Sequence, residues 1–191
     1  MTSAPDITAT VLEGLEPGIW KIDPSHSEVG FTVRHLMSKV RGQFREFEGE
    51  LVIAQNPLDS TATATIDLSS VDTRNDDRDN HLRSADFFSV DEDAQMSFTT
   101  TGIRQTGDQF VATGDLTIHG ATKGVELNLD FLGVGGDPWG GTRVGFEGTT
   151  TISRKEWGIN FNIPMDGDKV MIGDKVTIVL AVEAVLQHDN A

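Results

Sequence analysis

Apolar and polar residues alternate with period two in one segment after another of this chain, and that pattern commits it to strands with one oily face. Val29, Phe31 and Val33 alternate with Gly30, Thr32 and Arg34. A long strand over 43–53 puts Phe47, Leu51 and Ile53 on one face, and Phe44, off that parity, predicts a bulge at Arg45-Glu46. Ala62, Ala64, Ile66 and Leu68 alternate with Thr61, Thr63, Thr65 and Asp67. Met96 and Phe98 open another segment, and Phe110, Ala112, Gly114, Leu116 and Ile118 alternate across the next. The period returns in Val125, Leu127, Leu129 and Phe131, then in Val144, Phe146, Gly148, Thr150 and Ile152. It closes with Val176, Ile178, Leu180, Val182 and Ala184.

Asn56-Pro57, Thr106-Gly107-Asp108, residues 119–124 and the Gly-rich 133–141 read as turns or loops. Most connections are hairpin-short, so successive strands should be antiparallel neighbours. A row of hairpins leaves two open edges unless the sheet closes on itself. The expected fold is therefore all-β, an extended eight-stranded antiparallel barrel, with a flattened β-sandwich as the alternative. Residues 72–88 break the alternation and are rich in charge. There Asn75 or Asp76 caps a short helix running to about Arg83, and Ser84 caps a further turn holding Phe87 and Phe88. That helical insertion is expected over one barrel end. The organisation read from the chain is an N-terminal arm over 1–18, a barrel over 19–187 and a tail over 188–191.

A barrel of about eight strands either fills with its own side chains or holds one ligand. The inward set is Phe31, Val33, Phe47, Leu51, Phe98, Phe110, Leu116, Ile118, Leu127, Leu129, Phe146, Ile178 and Leu180, joined by Trp157, Ile159 and Phe161 after the polar turn 153–156. Periodicity leaves both readings open, a packed core or an apolar channel. Ala62, Ala64, Ala112, Gly114 and Gly148 on the same parity fill little volume and leave room. An apolar chain in such room gains about 0.8 kcal/mol per CH₂. Tight lipid binding would then need no charged anchor. If the insertion covers a mouth, Arg34, His35, Arg41, Arg83 and Arg154 are the candidates to meet a polar lipid head.

Composition narrows the function. Against 15 Lys and Arg stand 30 Asp and Glu, a net charge of −15, which argues against nucleic acid and against electrostatic docking on an anionic membrane. There is no cysteine, hence no disulfide, zinc-thiolate site or thiol nucleophile. His26, His35, His81, His119 and His188 form no HxxxH or HExxH pair, so no metal site is expected. Asp166-Gly167-Asp168 and Gly173-Asp174 lack the EF-hand spacing and read as turns. No G-x-S-x-G elbow accompanies Asp23, Ser25 and His26, which read as a hydrogen-bonded turn, and no catalytic residue is assigned. No stretch reaches the ~20 apolar residues of a membrane helix. Residues 1–18 lack the basic start and apolar run of a signal peptide, which predicts a cytoplasmic protein.

Four blocks resemble the YceI family and occur in the family's order. They are residues 20–35 (WKIDPSHSEVGFTVRH), 83–88 (RSADFF), 114–123 (GDLTIHGATK) and 153–159 (SRKEWGI). The resemblance implies a lipocalin-like barrel with an internal channel for an isoprenoid lipid, such as a polyprenol, a polyprenyl phosphate or an isoprenoid quinone. It also implies homodimers, no cofactor beyond the bound lipid, and no catalytic residues. The expected role is non-catalytic binding or transport of that lipid. The alternatives are an enzyme acting on a prenyl ester, pyrophosphate or amide with His35 or His119 as base, and a structural barrel with a filled core.

Overall fold

The computed structural model describes residues 11–188. Its strands are β1 (Gly18–Ile22), β2 (Glu28–His35), β3 (Ser38–Phe44), β4 (Phe47–Ile53), β5 (Thr61–Asp67), β6 (Val71–Asp72), β7 (Gln95–Thr106), β8 (Gln109–Ile118), β9 (Ala121–Gly136), β10 (Thr142–Ser153) and β11 (Ile172–Leu186), and a helix, α1 (Asp76–Arg83), lies between β6 and β7. They form one antiparallel sheet in the order β1-β4-β5-β7-β8-β9-β10-β11-β2-β3-β6, and β1 also pairs with β11. That last pairing closes the ring, so the fold is the expected barrel and the sandwich is excluded.

The eleven segments reduce to eight staves because three staves are broken in the middle. β1 and β2 run along the same β11, with Trp20 opposite Leu186 and Phe31 opposite Ile178. Between them a 3₁₀ turn, Pro24–His26, steps out of the ladder. Asp23 N–H and the Ser27 hydroxyl take over the carbonyl of Glu183, and Ser27 Oγ accepts from its N–H, so the ladder groups stay satisfied. Asp23 caps this turn by accepting from Ser25 N–H at 3.0 Å, as the turn reading required. At Arg45-Glu46, where the parity predicts a bulge within one long strand, the strand breaks outright and separates β3 from β4. The third break is the 3₁₀ turn Leu68–Ser70, which separates β5 from β6.

Helix α1 starts at its Asn75 cap, whose side chain accepts from Arg78 N–H, and stops at Ser84. Two loops are shorter than the sequence reading made them. The β8–β9 connection is only His119-Gly120, and β9 runs on to Gly136, leaving a loop over 137–141. Ladder bonds to β8 and β10 hold both polar stretches extended. The segment after the 3₁₀ turn Arg154–Trp157 is largely irregular. Of the arm, residues 1–10 lie outside the described residues, as do 189–191 of the tail. Leu12 is buried and Leu15 packs against Trp20 and its neighbours. No helix among the described residues is long and apolar enough to cross a membrane.

Candidate binding channel

The barrel interior is hollow. Phe31, Phe47, Phe98, Leu129, Phe146, Ile178 and Leu180 point inward yet are only half-buried, because they face open space and not one another. That space has two lobes. A lower cavity of about 210 Å³ reaches from Leu12, Leu15 and Pro57 up to Leu116 and Ile178. An upper cavity of about 240 Å³ reaches from Val29 and Ile178 to Phe161 and Ile163, under α1. Each exceeds the ~150 Å³ of an apolar cavity that holds benzene. The lobes abut at a waist, since Val29, Met96 and Ile178 line both. Along β11 the lining runs from Ile172 to Val182. At ~3.4 Å per residue and a tilt of about 40°, that is roughly 25 Å of channel.

Every apolar residue placed inward from the sequence lines one lobe or the other. Phe47, Leu51, Phe98, Phe110, Leu116, Leu127, Leu129, Phe146 and Leu180 line the lower lobe. Phe31, Val33, Ile118, Trp157, Ile159 and Phe161 line the upper, and Ile178 lines both. The small residues divide. Ala62, Ala64 and Ala112 border the lower lobe. Gly114 does not open space as expected, because the Phe98 ring occupies the place of its missing Cβ. The Phe31 ring does the same over Gly42.

The two lobes differ in polarity. The lower has only hydroxyl groups, and those of Ser60 and Thr100 are bound to backbone at Ala54 and Ala62. The upper carries His35, Arg78, His81 and Arg154. Arg78 and His81 are additions to the expected head-group set. They sit with Leu82 at i, i+3, i+4 on α1, a spacing that puts all three on one helix face. Arg78 donates through Nε to Thr73 Oγ1 and through Nη2 to the Thr73 carbonyl. His81 meets Asp86 at 2.8 Å and stacks edge-on to Phe87 and Phe161.

Three of the five expected head-group residues are misplaced by the sequence reading. Arg34 and Arg41 share the parity of Thr32, not of Phe31 and Val40, so they face outward. Arg83 donates to the carbonyls of Ser69 and Val71 and pins α1 to the wall. His35 does border the upper lobe. Arg154 borders it too, but its buried guanidinium donates to the carbonyls of Gly173, Ile159 and Phe161, clamping the irregular segment. Burial pulls its pKa down, against the opposing pull of Asp174. Trp157 closes the wall by donating Nε1–H to the Leu116 carbonyl.

Asp23, His26 and Glu183 cluster as metal ligands would. A guanidinium supplies the positive charge there, since Arg143 Nη1 lies 2.7 Å from both carboxylates and Nε lies 2.8 Å from Asp137. Arg143 first, then His26, holds the Asp23 carboxyl far below the usual range, and Arg143 is raised in turn. Gly167 and Asp168 turn a small hairpin with positive φ, as expected, but Gly173-Asp174 is no turn: it lies in β11, where Asp174 accepts from Ser153 Oγ on the neighbouring β10.

A closed antiparallel barrel around a long apolar void defines a lipocalin-like binding fold. The comparisons place it more closely. The YceI-like domain model matches residues 20–184, and this chain belongs to the YceI family. It is 40% identical over 172 residues to the Escherichia coli O6:H1 protein YceI, covering 88% of this chain and 87% of that one. To a UPF0312 protein of Staphylococcus epidermidis it is 42% identical over 167 residues, 86% and 95% of the two chains. Among solved structures, the Campylobacter jejuni YCEI protein superposes with a TM-score of 0.68 at 28% identity, over 87% of this chain and 96% of that one. A polyisoprenoid binding domain from Saccharophagus degradans superposes at 0.63 with 15% identity, over 88% and 98%, which shows the shared fold.

Proposed function

We propose that this protein binds one long isoprenoid lipid inside the barrel, tail in the lower lobe and head in the upper, and carries it without chemical change. The observation that carries this reading is the two-lobed void, whose apolar lining costs stability while empty. Its length of roughly 25 Å suits an extended chain better than a compact ligand. The polarity difference sets the direction, because His35, Arg78 and His81 stand only at the upper end. Those groups suit an oxygen-rich head, a phosphate or a quinone carbonyl. The polyisoprenoid binding attributed to the Saccharophagus degradans domain agrees with the reading.

Titration of delipidated protein with a polyprenol, its monophosphate and an isoprenoid quinone, read by intrinsic tryptophan fluorescence, tests it. Trp157 lines the upper lobe and is the reporter. Saturable quenching or a spectral shift with at least one of the three is expected, and no response to any would overturn the reading. Turnover of a prenyl ester or pyrophosphate, lost in His35→Ala, would overturn its non-catalytic part.

A further inference from the structure

The β2–β3 turn breaks the rules for an exposed turn. Its two residues are Leu36 and Met37, where Gly, Asn or Asp is usual. Met37 is fully exposed, and Leu36 holds a left-handed φ of 54° that a leucine rarely adopts. Leu36 N–H donates to the Met171 carbonyl at 2.8 Å, which fastens this turn to the small hairpin over 163–171. That hairpin exposes Ile163, Met165 and Val170. Ile163 and Met171 also line the upper lobe, so the exposed apolar rim is continuous with the channel interior.

Cations stand beside the rim. Arg34 lies directly opposite Lys39, and Arg41 follows Lys39 on the same outward face. All three are exposed, and none makes an ion pair among the described residues. Like charges placed opposite one another oppose strand pairing, and here they persist in a chain of net charge −15. The hairpin's own turn carries exposed Asp166 and Asp168 beside Lys169, so tip and flank together hold four cations against two acids, and the remaining acids of the chain are screened beyond a Debye length of about 8 Å.

We infer that the tip formed by Leu36, Met37 and the 163–171 hairpin docks on a lipid bilayer, with the apolar side chains inserted and Arg34, Lys39 and Arg41 against lipid phosphates. An apolar point flanked by cations is the arrangement that holds a protein in the interface plane. One fully exposed methionine and four side chains at about two-fifths exposure fall short of the ~800 Å² per partner of a stable protein interface, which argues against a second copy as occupant. Docking here would let a lipid pass between membrane and upper lobe without crossing water. The inference rests on the lipid-binding reading for its purpose, but its test is independent of channel occupancy.

The test is co-flotation of the full chain with vesicles of phosphatidylcholine alone and of equimolar phosphatidylcholine and phosphatidylglycerol. Wild type is expected to float with the anionic vesicles. Met37→Asp, and separately Lys39→Glu with Arg41→Glu, should each weaken that binding by roughly tenfold or more while the far-UV spectrum and lipid uptake in detergent stay unchanged. If Met37→Asp fails to fold, Met37→Ser serves. Wild type that floats with neither vesicle overturns the inference, as do variants that float as well as wild type. A wild-type dimer that Met37→Asp converts to monomer, with no vesicle binding, would overturn it in favour of self-association.

Discussion

Trp157 Nε1 donates to the carbonyl of Leu116 at 3.0 Å, tying the turn after β10 to the wall of β8 at the foot of the upper lobe. The indole is buried, so the bond has no water to replace it. Trp157→Phe should cost about 1 kcal/mol in urea unfolding by removing that buried hydrogen bond, while the β7 and β9 ladder pairings of Leu116 remain. It should also remove most of the ligand-dependent fluorescence change, since Trp20 on β1 lies outside the lining of both lobes and Trp139 is largely exposed.

The ring of Phe98 fills the space over Gly114, so Gly114→Ala must push it into the lower lobe. The variant should lose about 1–3 kcal/mol of stability from overpacking. It should also bind a shortened isoprenoid better than a full-length one, measured by competition for the channel.

Val29, Met96 and Ile178 form the waist between the lobes. A larger ring there should cut the channel in two. Ile178→Trp is expected to retain the fold and to select ligands that fill a single lobe, seen as a drop in the chain length of lipid recovered from the protein.

The Asp23–Arg143 pair makes stability acid-dependent. Asp23 titrates far lower when folded than unfolded, so its contribution is complete above the ordinary aspartate pKa of about 3.9 and is lost as pH falls below it. Thermal unfolding followed from neutral pH down to about pH 2 should show a steep acid limb. Asp23→Asn should lower stability at neutral pH and flatten that limb, with the two proteins converging in acid. Parallel curves would show that Asp23 is not responsible.

Strand faces were legible because alternation fixes which side chains share a side, and closure follows from short hairpins. The Gly-rich 133–136 stretch was not, since glycines read as loop and their extended form comes from pairing with Arg143 and Gly145 across the β9–β10 hairpin. Arg34 and Arg41 were drawn to the mouth by nearness to His35 in sequence, where parity would have put them outside. Arg78 and His81 were visible as a helical i, i+3 pair, but which face of α1 meets the barrel depends on its docking. Periodicity tells which residues face inward and nothing about how far apart opposing rows stand, so the void itself had no signature.

Mass spectrometry of an organic extract from natively purified protein measures the central claim most directly. A long isoprenoid species near one equivalent per chain is expected, absent from Ile178→Trp extracts at full length. An extract free of lipid, from protein that also takes none up when polyprenol and quinone are supplied, would contradict the account.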